Sequence, residues 1–209
     1  MNDIYIYMEN KLSPYLCGFR KGYCTQYCLM VMLEKLKKAL DGKHKFGALL
    51  TDLSKAFDCL NHELLIAKLD AYGFNNATLN LILSYLTGRK HRTKVNHQFS
   101  GWTDITSGIP QGSILGPLLF NIYINDIFFF VCEDKITNYA NDTTPYAIEK
   151  DFDKLIERIQ LDSSILLEWF NNNSFKLNPD KCKLFISKQG SKLSVDIEGK
   201  TITCQDIVK

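Results

Sequence analysis

Several things are missing from this chain of 209 residues, and each absence closes a class of explanation. Charge is nearly balanced, at +2 overall, so the chain as a whole does not advertise a polyanionic partner and only a local cluster could do so. The opening residues Met1-Asn2-Asp3 carry no basic n-region, and no apolar h-region follows them. No secretion is therefore expected, and the seven cysteines are expected to stay reduced in an intracellular compartment, nucleus or cytoplasm. Cys17, Cys24 and Cys28 lack a fourth ligand nearby, the closest histidine being His44, so a closed structural zinc site is not expected. The longest apolar run, Ile114 to Val131, is interrupted by Asn121, Asn125 and Asp126, which are costly in lipid. It reads as a buried helix, and no membrane partner is expected. Internal repeats and low-complexity linkers are absent too. With 45% hydrophobic and 23% charged residues, the chain reads as one ordinary globular domain.

What is present centres on Phe46 to Asp58, F-G-A-L-L-T-D-L-S-K-A-F-D. Phe46–Leu50 is short and apolar enough for a buried strand, which would deliver Asp52 to the rim of a sheet. Ser54 stands where an N-cap would, with Lys55-Ala56-Phe57 beginning a helix. A carboxylate at a strand end beside a helix start can hold a metal ion, although Asp also starts helices and turns for local reasons. Its candidate partner lies far along the chain, in Tyr139-Ala140-Asn141-Asp142-Thr143.

Around these points the pattern is legible. Met1 to Tyr23 is irregular. Leu29, Met32, Leu33, Leu36 and Leu40 form a helical stripe over Gln26–Leu40, with Thr25 as its expected cap. Asn61 and Asn76 are placed to cap two short helices that stop at Tyr72-Gly73 and Gly88. Arg89, Lys90, Arg92 and Lys94 follow. Cations just past a helix C-terminus are favoured by about 0.3–1 kcal/mol each, which accounts for two of the four. The rest make a nucleic-acid backbone a candidate partner. Thr103–Ser107 reads as a strand. Gly108-Ile109-Pro110-Gln111-Gly112-Ser113 is a tight loop where backbone can approach a ligand, and Pro117 suits the first turn of a long helix through Ile127. Lys135–Ala140 and Thr143–Ile148 read as strands with Asn141-Asp142 at a hairpin tip. An amphipathic helix over Asp151–Asn171 precedes strands at Lys183–Ser187, Leu193–Ile197 and Thr201–Thr203.

A strand-end aspartate and a hairpin-tip acid can converge on divalent ions if their strands are neighbours. Two such ions about 3.5–4 Å apart stabilise the entering and leaving oxygens of a phosphoryl displacement. Five ordered blocks then make the resemblance specific: G-F-R-K-G at Gly18–Gly22, L-T-D-L-S-K-A-F-D at Leu50–Asp58, G-I-P-Q-G-S-I-L-G-P-L-L-F at Gly108–Phe120, Y-A-N-D-T at Tyr139–Thr143 and N-P-D-K at Asn178–Lys181. Together they resemble the reverse transcriptase (RNA-directed DNA polymerase) of non-LTR, LINE-type retrotransposons, over nearly the whole chain.

The resemblance implies an α+β fold, a right-hand polymerase palm of antiparallel sheet backed by helices, with partial fingers and no thumb. It divides a single domain into partial fingers (1–45), palm (46–58 and 101–190), a helical insertion carrying the basic segment (59–100) and terminal strands (191–209). Asp52, the Leu53 carbonyl and Asp142 would hold two Mg²⁺ or Mn²⁺ ions. Phe57 would select deoxynucleoside triphosphates against a 2′-hydroxyl, with Gln111 and Gly112 lining the nucleotide and template pocket. Lys181 would protonate the leaving pyrophosphate. RNA template and DNA primer would be the partners, with Arg89, Lys90, Arg92 and Lys94 on the nucleic acid. Without the family, Phe57 is a core aromatic and Lys181 a surface lysine. Three departures point to an impaired polymerase: Asn141 replaces the first Asp of the family's Y-A-D-D hairpin, the preceding fingers segment is expected to be missing, and so are the following primer grip and thumb. A non-catalytic nucleic-acid-binding domain and a decayed retroelement relic are the alternatives.

Overall fold

The computed structural model describes residues 2–131, 135–187 and 193–204. Of the expected terminal strand region, 191–192 and 205–209 lie outside the described residues. In chain order the elements begin with α1 (Asn2–Glu9), α2 (Thr25–Asp41), β1 (Lys45–Leu50), a 3-10 turn (Ala56–Asp58), α3 (His62–Ala71) and α4 (Asn76–Leu86). Four two-residue strands follow, β2 (Lys90–His91), β3 (Lys94–Val95), β4 (Gln98–Phe99) and β5 (Thr103–Asp104), then α5 (Gly116–Ile124) and α6 (Ile127–Phe130). The chain continues through β6 (Ile136–Tyr139), β7 (Asp142–Glu149), α7 (Phe152–Asn172), β8 (Lys183–Ile186), β9 (Ser194–Ile197) and β10 (Lys200–Thr203).

The antiparallel sheet backed by helices implied by the resemblance is present, with strand order β6-β7-β1-β8. The apolar residues of β1 form a continuous run because both faces of the sheet are covered. Phe46 and Ala48 turn to α2, where they pack with Ala39, Met32, Leu36 and Tyr146. Gly47 turns the other way, so close to α7 that a Cβ there would come within 2.5 Å of Ile159 Cδ1. Burying Phe46 contributes roughly 2 kcal/mol. Helix α5 is buried on every side, from Leu118 to Ile124, and its one polar residue, Asn121, donates to the Gly18 carbonyl at 2.8 Å.

Several local expectations change. Met1–Tyr23 is not all irregular, because α1 buries Met8 against the main core. Thr25 begins α2 rather than capping it, its hydroxyl turned to Gln26 Oε1, and Cys24 stands at the cap without a side-chain bond. Of the α2 stripe, Leu29, Leu33 and Leu40 are exposed and only Met32 and Leu36 meet the sheet. Ser54 is no cap either: its N–H pairs with the Lys176 carbonyl at 2.8 Å, and the expected helix shrinks to the 3-10 turn. Asn61 caps α3 as expected, but α4 is capped by Asn75, one residue before Asn76. The long helix breaks after Ile124, where Asn125 bonds the Ser13 N–H, the Lys11 carbonyl and the Tyr72 hydroxyl. Tertiary contacts win there over helical continuity. Residues 90–99, expected within a helical insertion, instead form short antiparallel ribbons.

Candidate active site

The register of β1 on β7 brings the two acids together. Lys45 faces Glu149 and Ala48 faces Tyr146, and the same register continues as a bridge between Thr51 and Thr143. One residue further, Asp52 meets Asp142 across the two strands. Thr51 fixes that junction, since its N–H and its hydroxyl both donate to the Thr143 carbonyl, at 3.0 and 2.7 Å. On the other side, the Asp52 carbonyl accepts from the Asn178 N–H at 2.9 Å and Leu53 bridges Leu177. The N-P-D-K turn that starts there returns Lys181 to the same place, its Nζ 3.2 Å from Asp52 Oδ2.

That oxygen is buried and has no hydrogen-bond partner; the lysine contact is an ion pair without hydrogen-bond alignment. Partial loss of solvent raises the Asp142 pKa, and the Asp52 charge raises it further, while Lys181 pulls it down. Two facing carboxylates, one with a buried oxygen that accepts no hydrogen bond, are the hard-oxygen donor set that suits a divalent cation. Among the described residues no group of three or more His, Cys, Asp or Glu side chains gathers to hold a metal, so a cation here depends on this pair and on backbone or substrate oxygens. Thr144, Asp180 and Lys183 complete a cleft of about 470 Å³.

Asn141 lies in a different place. With Leu53, Phe57, Gln111 and Gly112 it lines a neighbouring cavity of about 510 Å³, closed by Phe19, Ala56, Pro110, Ser113 and Pro117. Among the described residues Lys55 is the only charged one along this wall, held at φ 49° in the left-handed region. Phe57 is fixed by stacking on Phe120 (centroids 4.6 Å apart) and by an edge contact with Phe19 at 5.7 Å. Gln111 donates through Nε2 to Asp58 Oδ1 at 2.8 Å, which turns its amide oxygen away from that acid. The expected site residues thus divide: Asp52, Asp142 and Lys181 in one cleft, Leu53, Phe57, Gln111, Gly112 and Asn141 in the other. The dipeptides 52–53 and 141–142 form the wall between them.

Sequence reasoning missed the supports. Asn138, fully buried in β6, donates through Nδ2 to the Ala140 carbonyl and Thr143 Oγ1, both at 2.9 Å, and ties the hairpin tip. The Cys17 N–H donates to the Asn138 carbonyl at 2.9 Å. A Cβ on Gly18 would lie 2.2 Å from the Ala140 nitrogen, so only glycine fits against the tip. The G-F-R-K-G block carried that signal, as it brought Gly18 and Phe19 together in one motif. Gly108, at φ +78°, likewise leaves no room for a Cβ beside the Asp58 backbone.

The four basic residues also divide. Arg89 is engaged by the fold, donating to the Leu86 carbonyl at 2.8 Å and the Gly108 carbonyl at 2.6 Å. Lys90 pairs with Asp104 at 3.3 Å, and Arg92 and Lys94 lie over aromatic rings on the exposed ribbon. Among the described residues, no helix is long and apolar enough to cross a membrane.

Known proteins resemble the chain in sequence and in fold. A family model described as reverse transcriptase (RNA-dependent DNA polymerase) matches residues 1–200. The chain is 26% identical over 189 residues to a probable RNA-directed DNA polymerase from transposon BS of Drosophila melanogaster, covering 87% of the chain and 20% of that protein. It is 27% identical over 171 residues to the Pol polyprotein of the type-1 retrotransposable element R2 of Popillia japonica, covering 73% and 26%. The chain therefore spans about a fifth to a quarter of these relatives' length. Among solved structures, apo telomerase from Candida tropicalis superposes with a TM-score of 0.66 at 15% identity, over 97% of the chain and 43% of that protein. At that identity the likeness is one of fold.

Proposed function

The chain belongs to the reverse transcriptase (RNA-dependent DNA polymerase) family, and from that premise we propose that it is a polymerase core for metal-dependent DNA synthesis on an RNA template, impaired in its chemical step by Asn141. The observation that carries the reading is the facing pair Asp52 and Asp142, with one buried Asp52 oxygen that accepts no hydrogen bond and meets only the Lys181 ammonium. Asp52, Asp142 and the Leu53 carbonyl would hold Mg²⁺ or Mn²⁺, which when bound supplies Lewis-acid stabilisation of the phosphate oxygens. A deoxynucleoside triphosphate would occupy the cavity beside Phe57, whose ring is pinned by Phe120 and Phe19 and cannot yield to a 2′-hydroxyl. Gln111, oriented by Asp58, would meet the base-pair side with its amide oxygen. Lys181, beside Asp52, would be the proton donor to a leaving pyrophosphate. RNA template and DNA primer would lie along the same face, with Lys90, Arg92 and Lys94 available to phosphates.

Asn141 removes charge, not shape. With it, the nucleotide cavity has Lys55 and no carboxylate along its described wall. A carboxylate about 4 Å from a divalent ion gains roughly 8 kcal/mol of gross attraction at an effective dielectric near 20. Desolvation offsets part of that, and a net loss of ~4 kcal/mol slows turnover about a thousandfold. The test grafts this palm into an intact polymerase of the family and compares Mg²⁺- or Mn²⁺-dependent primer extension with and without Asn141→Asp. A thousandfold gain is expected from the substitution; equal rates would refute the charge argument. Asn141 also favours a second reading, a nucleic-acid-binding domain without turnover, which the same chimera separates if it binds hybrid yet stays silent with the carboxylate restored.

A further inference from the structure

Beyond the clefts, residues 90–104 fold back on themselves as a ribbon exposed along its whole length. β2 pairs with β5, β3 pairs with β4, and between them the Thr93 and Ser100 backbones join at 2.9 Å. Asn96 and His97, at φ 46° and 64°, make the tight tip. Its base is fixed by Arg89 on the Gly108 carbonyl, so the ribbon stands beside the motif loop of the nucleotide cavity.

The ribbon carries large apolar side chains in water: Phe99 is 52% exposed and Trp102 is 61% exposed. Both rings flank one cation. The Arg92 guanidinium lies 3.9 Å from the Phe99 centroid and 4.5 Å from that of Trp102, and Lys94 Nζ is 5.1 Å above Phe99. A guanidinium stacked this way keeps its N–H edge free for phosphate. Over residues 89–104 four cations stand against one carboxylate, Asp104, so the patch complements a polyanion rather than a protein core. Alternating aromatic faces and cations are what successive bases and phosphates of an unpaired strand require, since a duplex offers its base faces to nothing.

We propose that the Lys90–Asp104 ribbon is a stacking platform for single-stranded nucleic acid, with bases on Trp102 and Phe99 and the adjoining phosphates on Arg92 and Lys94. This deepens the nucleic-acid side of the function proposed above. Its test needs neither metal, nucleotide nor turnover, so the two can fail separately. The 209-residue chain in EDTA is titrated with labelled oligo-dT and oligo-rU of about ten nucleotides, within the usual site size, reading anisotropy and tryptophan emission. Trp169 is buried, which leaves Trp102 as the reporter. Binding should quench the emission. Trp102→Ala and Phe99→Ala should each weaken affinity about tenfold and leave the salt dependence unchanged. Lys94→Ala should lower the slope of log affinity against log salt by about 0.7. Trp102→Phe, which keeps a stacking face, should retain most of the affinity, separating stacking from misfolding. Unchanged affinity in Trp102→Ala, equal binding of a duplex of the same length, or an emission change with anionic phosphatidylserine vesicles but not with oligonucleotides would each overturn the platform.

Discussion

The two clefts beside the hairpin differ more than their shared wall suggests. One is crowded with charge: Asp52, Asp142, Asp180, Lys181 and Lys183 face each other across about 470 Å³. The other, of about 510 Å³, is lined by aromatic rings, prolines and neutral amides, with Lys55 as its only charge among the described residues. Consecutive residues on two segments of the chain supply both, Asp52 with Leu53 and Asn141 with Asp142. Asn141 therefore leaves its side of the wall without a carboxylate, beside the Leu53 that the proposed ion would share with Asp52 and Asp142.

The sharpest way to break this arrangement is to disturb both clefts at once. Gly18→Ala drives a Cβ against the Ala140 backbone, where no flexible side chain can give way. It should cost about 3 kcal/mol of unfolding free energy, read from denaturant melts, and shift the hairpin that serves both sides. A neutral result would mean that the Gly18 segment does not hold the tip.

Asp142→Asn should touch only the charged cleft, and only slightly. The Asp142 pKa is raised in the folded state by lost solvent and by Asp52, so the folded chain holds that proton more tightly than the unfolded one. Stability from this group is present below the ordinary value of 3.8 and is lost as pH rises through the folded value. The variant should therefore be slightly more stable than the parent at pH 7, by no more than about 0.5 kcal/mol for so solvent-screened a pair, and equal to it below the ordinary carboxyl range. Melting curves at both pH values decide it. A loss of stability at pH 7 would contradict the repulsion between the two acids.

Much of the frame was legible because it rests on local chemistry. β1 announced itself by an apolar run whose two faces are both covered, and Asn61 by the capping geometry it adopts. The hairpin was legible from the turn between its strands, but its tip is Ala140-Asn141, one residue earlier than expected, because Asp142 already pairs with Tyr139. What sequence could not supply came from distance. The break after Ile124 depends on Asn125 reaching Ser13 and Lys11, more than a hundred positions away. The ribbon strands are two residues long, too short for any period to show. For the site, Asp52 and Asp142 could be named from motifs, but their facing follows from the β1–β7 register, which no single segment encodes. Arg89 could be placed among the cations past a helix end, but its two carbonyl partners lie beyond what local sequence encodes.

The central claim is that charge at position 141, not shape, separates this chain from a competent metal site. Mn²⁺ binding measured by electron paramagnetic resonance tests it without turnover, on the parent, Asp142→Asn and Asn141→Asp. Weak binding by the parent that Asp142→Asn abolishes and Asn141→Asp tightens at least about tenfold, a modest share of the Coulomb attraction available, is the predicted result. Equal affinity in the parent and Asn141→Asp would contradict it.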